Sequence, residues 1–257
     1  MLPLQHIDKT FNTGTVNETR LLTDFSLTVP RGQFVSIVGS NGSGKTTVLN
    51  LAFGSLLPDR GQILLADEDI THMPPYRRAR RIGRVYQDPA VGTVPHMTIK
   101  ENLAMAENKG KPYGLLPALS RRRTAYYQEL VADLGLGLEE KMDIPVRLLS
   151  GGQRQALSLL MSTLTPIVLL LLDVHTAALD PKTAERVLEL TDRIVRQKQI
   201  TTLMVTHNLR YAVEYGDRIC MFHAGQIVLD RSGQEKADTR VEDLLALFNS
   251  ISIECGN

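Results

Sequence analysis

The sequence "GSNGSGKTT", residues 39–47, decides the fold of this chain. It matches the pattern G-x-x-x-x-G-K-[ST], and it lies between a β-rich run, "QFVSIV" at 33–38, and the helix-like segment "TVLNLAFG" at 47–54. Glycines in such a loop let backbone N–H groups approach phosphate oxygens closely, and the start of the following helix favours negative charge. The pattern therefore predicts a loop that binds phosphate groups.

The polar side chains of this loop suit a nucleotide and its metal ion. In this pattern Lys45 reaches the β- and γ-phosphates, and the hydroxyl of Thr46 binds magnesium. The residues predicted to hold the nucleotide here are Ser40, Asn41, Gly42, Ser43, Gly44, Lys45, Thr46 and Thr47. Because the motif and its context agree, the sequence predicts a P-loop nucleotide site.

A second stretch, "LLLLDVHTAALD" at 169–180, carries a carboxylate to the end of an apolar strand. A buried carboxylate is costly unless it meets a cation or a hydrogen-bond donor, so Asp173 is predicted to be a second magnesium determinant. The next residue is Val174, which can neither accept a proton nor orient water. This position puts hydrolysis of the bound nucleotide in question.

Composition excludes several classes of protein. The chain has 29 Lys and Arg against 28 Asp and Glu, so nucleic acid or an anionic membrane could be met only by a local basic patch. Cys220 and Cys255 form no metal-ligand spacing, and they fit a reducing compartment. The N-terminus lacks the pattern of a secretory signal, and the apolar run at 167–172 is too short to span a bilayer. We therefore expect a cytoplasmic protein whose membrane role, if it has one, needs a separate membrane-embedded partner.

Short apolar runs that alternate with helical segments predict an α/β fold. The predicted strands are 25–29, 33–38, 62–65, 167–172 and 201–205, and the first two are predicted to be antiparallel additions to a parallel sheet. Between Gln87 and Thr165 the sequence becomes helical, as in "TIKENLAMAENK" and "RRRTAYYQELVADLG". The pattern indicates a helical insertion within the α/β domain.

Residue spacing predicts two further features of the surface. The C-terminal segment "TRVEDLLALFNSI" is predicted to form an amphipathic helix that packs on the body through Val241, Leu244, Leu245, Phe248 and Ile251. The Arg cluster in "YRRARRIGR" at 76–84 indicates a basic face or an ordinary solvated helix. No nucleic acid is expected as a partner, because no aromatic platform accompanies the cluster.

The segment "LLSGGQRQ", residues 148–155, gives the sequence a family resemblance. Its place between the P-loop and the strand that ends at Asp173 resembles the ATPase subunit of an ATP-binding cassette (ABC) transporter. Three further matches carry the resemblance: Gln87 in "RVYQDP" is similar to the Q-loop, "AALD" with Asp180 to the D-loop, and His207 in "LMVTHN" to the switch histidine. The likeness extends over residues 1 to about 230.

The resemblance implies an architecture and a ligand set. It implies a P-loop NTPase (RecA-like) core with an antiparallel β subdomain and an inserted α-helical subdomain. The implied division of the single domain is a core of residues 1–87 and 166–230, a helical subdomain of 88–165 and a C-terminal helical tail of 231–257. ATP and Mg²⁺ are the implied cofactors, with the metal ion held by Thr46, Gln87 and Asp173.

The family also implies how the nucleotide sites are completed. Two subunits close head to tail around two ATP molecules, so that the P-loop of one subunit faces Ser150, Gly151, Gly152 and Gln153 of the other. A hydroxyl, backbone donors and a helix beginning near Gln153 suit a γ-phosphate. By the same resemblance Phe11 stacks on adenine, His207 donates to the γ-phosphate and Gln87 contacts magnesium or water. A core aromatic is the alternative for Phe11.

At one catalytic position the chain departs from the family. The residue after the strand-end Asp is usually a Glu that polarises the attacking water, and Val174 takes its place. Loss of a positioned base lowers rates by about 10²- to 10⁴-fold, so hydrolysis is expected to be strongly slowed while ATP binding persists. His175 is an alternative base. Its stretch, "HTAALDPKTA", resembles the uncharacterised or amino-acid type of importer.

Three functions fit these features. The first is the ATPase subunit of a transporter, at the cytoplasmic face of the membrane, with permease subunits, a second copy of itself and, indirectly, an extracytoplasmic solute-binding protein as partners. The second is a nucleotide-gated binding module with little turnover. The third is a cassette ATPase that acts on ribosomes or DNA, although such relatives usually carry two cassettes or a long coiled coil. An importer is favoured over an exporter because no transmembrane helices are fused to the chain.

Overall fold

A computed structural model describes residues 1–112, 119–174 and 181–254 of the chain. The strands in this part are β1 (Leu2–Phe11), β2 (Thr19–Val29), β3 (Phe34–Gly39), β4 (Arg60–Leu65), β5 (Glu68–Asp69), β6 (Ile82–Val85), β7 (Leu169–Val174), β8 (Thr201–Thr206), β9 (Arg218–His223) and β10 (Gln226–Ser232). The helices are α1 (Lys45–Phe53), α2 (Pro75–Arg78), α3 (Ile99–Glu107), α4 (Arg121–Ala132), α5 (Gly151–Thr163), α6 (Pro181–Lys198), α7 (Leu209–Glu214), α8 (Gly233–Ala237) and α9 (Val241–Glu254).

A six-stranded sheet in the order β10-β9-β3-β8-β7-β6 forms the centre of the α/β core. All neighbouring pairs are parallel except β10 and β9. The prediction that 33–38 is an antiparallel addition is wrong, because β3 lies parallel to both β8 and β9. Every residue of β3 is buried, and a strand that is apolar on both faces belongs in the middle of a covered parallel sheet.

A second sheet, in the order β2-β1-β4-β5, is antiparallel. The antiparallel prediction for 25–29 is confirmed, since this segment lies in β2 and pairs with β1. Strand β1 was not predicted from the sequence. Its pairing with β2 shifts register at three places between Leu4 and Thr10, which breaks the alternation of apolar and polar residues by which strands are recognised.

The helices α3, α4 and α5 lie in the described residues between β6 and β7, as the helical-insertion prediction requires. Each begins at a hydroxyl residue: the side chains of Thr98, Ser120 and Ser150 accept a hydrogen bond from a backbone N–H of the first turn. Such N-caps stabilise a helix by about 1 kcal/mol each, and they fix its first residue. The insertion is anchored to the core by buried side chains such as Leu103 and Tyr127.

Strand β7 joins two hydrophobic cores on opposite sides of the parallel sheet. Leu170 and Leu172 belong to the core beneath α3–α6, whereas Leu169 and Leu171 belong to the core shared with α1 and the antiparallel sheet. Successive residues of a strand point to opposite faces, so an uninterrupted run of leucines fills both cores. This packing holds the strand end, and with it Asp173, in a fixed place.

The predicted C-terminal helix is present as α9, which packs on α7. Leu244 is fully buried against Val38 and Ala212. The prediction for Leu245 is wrong, because that side chain is 46% exposed, and Leu247 packs on the body instead. A spacing of three residues from Leu244 returns to the same helix face, whereas a spacing of one does not.

The Arg cluster at 76–84 does not form a solvated helix. Helix α2 ends at Arg78, whose side chain is 1% exposed. Its guanidinium donates to four backbone carbonyl groups, those of Leu51, Ala52, Thr71 and Met73. Arg78 therefore closes the C-terminal end of α1, where carbonyl groups lack partners within the helix.

Within residues 1–112, 119–174 and 181–254, no helix is both long enough and apolar enough to cross a membrane.

Candidate nucleotide site

The P-loop leads from the end of β3 directly into α1. Gly44 is the N-cap of α1 and has a φ of 102°, a left-handed conformation that favours glycine. Without a side chain to cap them, the first N–H groups of the helix are left for an external acceptor. The exposed hydroxyl of Thr46 lies in this first turn. The helix start thus has the donors and the positive dipole end that a phosphate group requires.

Lys45 folds back over the loop. Its Nζ donates to the carbonyl oxygens of Gly39, at 2.8 Å, and Ser40, at 2.7 Å. The side chain is 5% exposed. Burial lowers the pKa of Lys45, and the negative charge of Asp173 opposes this shift. A cation held in place by two carbonyl groups can exchange them for phosphate oxygens without moving far.

The carboxyl ends of four adjacent parallel strands meet at one edge of the sheet. In the order of the sheet, β3 leads into the P-loop, β8 is followed by His207, β7 ends with Asp173 and Val174, and β6 is followed by Tyr86 and Gln87. Neighbouring strands lie about 4.8 Å apart, so the four predicted positions span about 15 Å. Ligands bind at such an edge in open α/β sheets.

The predicted magnesium residues supply the donor set that this ion prefers. Thr46 offers a hydroxyl, Gln87 an amide oxygen and Asp173 a carboxylate, all of them hard oxygen ligands. Thr46 and Gln87 are exposed, and Asp173 is half-buried. No group of three His, Cys, Asp or Glu residues suited to a metal ion occurs in the described ranges. The residues therefore fit a magnesium ion that is shared with phosphate oxygens, as opposed to a cage made by the protein alone.

Part of the predicted set falls outside the described residues. The backbone of Val174 pairs with Thr206, but its side chain is not described. His175, the alternative base, and Asp180, the predicted D-loop residue, lie in the undescribed segment 175–180. Their predicted roles stay predictions.

Phe11 lies at the end of β1, on the side of the antiparallel sheet that approaches the P-loop. It pairs with Thr19, three residues before Leu22 on β2. Leu22 lies beside the P-loop, since a Cβ on Gly44 would be 3.3 Å from its Cδ2. Phe11 is therefore about 10 Å along the strand from the start of α1. Its ring is half-buried and has Lys9 Nζ 5.7 Å from the centroid, so Phe11 is not enclosed in a core.

The segment 150–153 forms the start of α5. The Ser150 side chain accepts a hydrogen bond from the N–H of Gln153, and the Gln153 side chain accepts one from the N–H of Ser150. Helix α5 therefore starts at Gly151, two residues before the predicted start. The other end of α5 packs on β6, where Ser162 Oγ donates to the carbonyl oxygen of Arg84 at 2.9 Å. Twelve residues of helix separate Ser150 from this contact, a distance of about 18 Å.

Gly152 has a packing role that the motif does not reveal. It is buried, and a Cβ on this residue would lie 1.8 Å from Cγ2 of Thr183 on α6. Helices α5 and α6 approach closely only because this position carries no side chain.

A groove lies between α1, β6, α3 and α5. We call it the Tyr86 groove. Its volume is about 510 Å³, and its lining includes Arg84, Tyr86, Val91, Met105, Lys109 and Met161. Val91 and Met105 are more than half exposed. Among its described lining residues the charged ones are the cations Arg84 and Lys109, and burial lowers the pKa of Lys109. The groove is thus an exposed apolar surface with positive charge.

The separate roles of two arginines in this region were not predicted from the sequence. Arg78 and Arg84 were treated as members of one basic cluster, yet Arg78 closes the end of α1 and Arg84 stacks in the groove. The short strand 82–85, "IGRV", has no alternation of apolar and polar residues that could have assigned Arg84 to the sheet. Nothing in the spacing of Arg78 distinguishes it from its exposed neighbour Arg77.

Comparison with known proteins agrees with this geometry. The sequence profile of the ABC transporter family matches residues 22–177. A tyrosine transport ATP-binding protein of Clostridioides difficile (strain R20291) is 48% identical over 248 residues, which are 96% of this chain and 98% of that protein. The chain belongs to the ABC transporter family. Its fold is therefore the P-loop NTPase fold of ABC cassettes, and the expected activity of the family is ATP hydrolysis.

Two further relatives extend the likeness of this ABC cassette. A spermidine/putrescine import ATP-binding protein of Haemophilus influenzae is 35% identical over 91% of this chain, which spans 59% of that longer protein. A solved dimeric structure, a post-hydrolysis state of the ATP-binding cassette MJ0796 bound to ADP and Pi, is 26% identical and has a TM-score of 0.77. That likeness covers 90% of this chain and 98% of the solved one. The fold class and the family predicted from the sequence are both confirmed.

Proposed function

We propose that this ABC cassette is the ATP-binding subunit of a small-solute importer, held at the cytoplasmic face of the membrane by permease subunits. The observation that supports this most is the convergence of the P-loop, His207, Asp173 and Gln87 at one sheet edge. The proposed division is a core of residues 1–87 and 166–230, a helical subdomain of 88–165 and a tail of 231–257. Phe11 is proposed to stack on adenine.

Two copies of the chain are proposed to complete each site head to tail. Ser150 lies at the far end of α5, about 18 Å along the helix from the contact between α5 and β6 in its own subunit. A second copy can bring its Ser150, Gly151 and Gln153 to the γ-phosphate instead. The first turn of α5 offers backbone N–H groups and a positive dipole end for this contact.

The proposed roles follow from the chemistry of each side chain. Lys45 and the first turn of α1 bind the phosphates, while Thr46, Gln87 and Asp173 hold magnesium. The bound ion neutralises phosphate charge and orients the γ-phosphate for attack. His207 donates a hydrogen bond to the γ-phosphate, and Asp180 is proposed to contact the second subunit. Because Val174 offers no base, hydrolysis is slow, and the ATP-bound dimer persists.

The Tyr86 groove is proposed to receive the permease. Tyr86 lines the groove and immediately precedes Gln87 in the chain. A segment bound in the groove therefore lies next to a residue that is proposed to contact the nucleotide. The exposed Val91 and Met105 suit an apolar segment. Because Arg84 and Lys109 line the groove without a carboxylate beside them in its described lining, that segment is proposed to carry an Asp or Glu.

The transported solute is proposed to be tyrosine or a similar amino acid, delivered by an extracytoplasmic solute-binding protein. The proposal is supported by the 48% identity with the tyrosine transport ATP-binding protein over nearly the whole of both chains. Uptake of radiolabelled tyrosine is the test. We expect cells that lack the chain to lose most of this uptake, and the chain, but not Lys45→Ala, to restore it. Unchanged tyrosine uptake in cells without the chain overturns the solute assignment.

A second candidate function is a nucleotide-gated binding module, which closes on ATP and opens when the nucleotide is exchanged. Val174 favours this function because it supplies no base for hydrolysis. Purified chain incubated with Mg-ATP distinguishes the two. A dimer that decays as ADP accumulates supports the slow ATPase, and a dimer that decays only when ATP is diluted supports the module.

A further inference from the structure

Arg84 lies in a stack between the P-loop helix and the segment that leads to Gln87. Its Cζ is 4.5 Å from the centroid of the Tyr86 ring and 5.3 Å from that of Phe53. Its Nη2 donates to Oδ1 of Asn50 at 2.7 Å. Phe53 and Asn50 both belong to α1, and Tyr86 immediately precedes Gln87. One guanidinium therefore joins α1 to the base of the Gln87 loop.

The same residue is also tied to α5. Its carbonyl oxygen accepts the hydrogen bond from Ser162 Oγ, near the end of the helix that begins beside Ser150. Arg84 thus contacts the three elements that carry the P-loop, Gln87 and the segment 150–153. A residue in such a place can fix the position of one element relative to another without touching the nucleotide.

The environment of Arg84 is costly for a charge that has only a structural role. The side chain is half-buried, and Nε is buried without a hydrogen-bond partner among the described residues. Burial lowers the pKa of Arg84, while the charges of Tyr86 and Asp173 oppose this shift. A methionine or leucine would fill the same space between two aromatic rings at less cost. What the planar cation provides and a hydrocarbon side chain cannot is the hydrogen bond to Asn50.

We propose that Arg84 is a positioning residue, which clamps Tyr86 to α1 and so keeps Gln87 within reach of the magnesium ion bound to ATP. The proposal rests on the proposed magnesium role of Gln87. The clamp depends on the planar guanidinium, because only that group both stacks on a ring and donates sideways to Asn50.

The test compares ATP affinity with magnesium and with EDTA, using a fluorescent ATP analogue and the full-length chain. The ratio of the two affinities is the magnesium-dependent gain. Arg84→Met is expected to lower this gain at least fivefold and to change the affinity in EDTA less than twofold. Arg81→Met is the matched control. Arg81 lies three residues earlier and pairs with Glu68 at the surface, so its gain should not change.

A double variant shows whether Arg84 acts through Gln87. If it does, Arg84→Met combined with Gln87→Ala loses no more of the gain than Gln87→Ala alone. Additive losses, or an equal fall in affinity with and without magnesium, overturn the proposal. If Gln87→Ala leaves the gain unchanged, the proposed role of Gln87 fails, and the proposal falls with it. If Gln87→Ala lowers the gain and Arg84→Met does not, the positioning role alone fails.

The conservative variant Arg84→Lys guards against loss of folding. It keeps the charge and most of the length of the side chain but not the planar group, so we expect it to lower the gain at least threefold while the chain remains folded. A gain equal to that of the unmodified chain overturns the proposal.

Discussion

Val174 lies opposite Thr206 in the parallel pairing of β7 with β8, so the position after Asp173 is adjacent to the position before His207. Asp173 itself pairs with Val205, two residues before His207. From strand spacing and rise, the Cα atoms of Asp173 and His207 are about 8 Å apart. A base at position 174 therefore has Asp173 beside it on its own strand and His207 directly after the end of the neighbouring strand.

Replacing Val174 tests whether this position limits hydrolysis. Val174→Glu is expected to raise the steady-state ATPase rate by about 10²-fold or more, because a positioned base supplies a factor of this size. ATP affinity should stay equal or fall slightly, since the new carboxylate repels phosphate. The measurement is phosphate release alongside ATP binding.

The control for this variant is Val174→Gln, which has the shape of Glu but cannot accept the proton, and it should remain slow. Adding His207→Ala to Val174→Glu should abolish most of the gain, whereas His72→Ala, at an exposed site, should not. Brisk hydrolysis by the unmodified chain would show that another group, such as His175, supplies the base.

The contact between Gly152 and Thr183 predicts a rescue experiment. Gly152→Ala places a Cβ 1.8 Å from Thr183 Cγ2, so α5 must move away from α6. We expect overpacking to destabilise the fold by about 2 kcal/mol and to weaken ATP-dependent dimerisation. Urea unfolding and size-exclusion chromatography with Mg-ATP measure the two effects.

Thr183→Ser removes the colliding methyl group and keeps the hydroxyl, so the pair Gly152→Ala with Thr183→Ser should recover most of the stability. If dimerisation recovers too, packing explains the glycine. Recovery of stability without dimerisation would assign Gly152 a second role in the contact between subunits.

The neighbouring residues Arg78 and Arg77 are expected to contribute very differently to the free energy of unfolding. Arg78→Met leaves four backbone carbonyl groups without their donor, and we expect it to destabilise the protein by about 3–4 kcal/mol. Arg77→Met should cost about 0.5 kcal/mol or less, because Arg77 is exposed and lies over the exposed ring of Tyr76. Denaturant unfolding of the two variants decides the matter, and equal losses would contradict the assignment.

Asp69 predicts a change in acid stability. Hydrogen bonds from Thr71 and Gln62 lower the pKa of Asp69 from 3.8 to about 2. A carboxylate with a lowered pKa in the folded state contributes stability above pH 3.8, and this contribution is lost as the pH falls towards 2. Asp69→Asn should therefore flatten the fall in the urea midpoint between pH 4 and pH 2. Asp67→Asn, in the turn that precedes β5, is the matched control.

Lys109 tests the proposed permease surface. Lys109→Glu reverses a charge in the Tyr86 groove, far from the P-loop in sequence. We expect tyrosine uptake to fall at least tenfold, because a carboxylate on the permease would meet like charge. ATP binding by the purified variant should not change. Normal uptake with Lys109→Glu would show that the permease docks elsewhere.

Local sequence determined the chemistry of the nucleotide site. The run from Gly39 to Thr47 specifies a tight loop and a helix start, and both follow from residues that are neighbours in the chain. The helical segments that form α3 and α4 and the apolar run of β7 were likewise predicted, since helical and strand patterns are local effects. The family followed from the order of such local motifs.

Only the tertiary structure decided what depends on contacts between distant segments. The strand at 33–38 was predicted, but its pairing was predicted wrongly as antiparallel, because its neighbours β8 and β9 lie far along the chain. The sequence does not distinguish Arg78 from Arg77, and only the packing shows that Arg78 contacts the end of α1. The motif does not show that Gly152 packs against α6, where an added Cβ would lie 1.8 Å from Thr183 Cγ2. Sequence periodicity reports which residues prefer burial, but the partner of a buried group is fixed only when the elements pack.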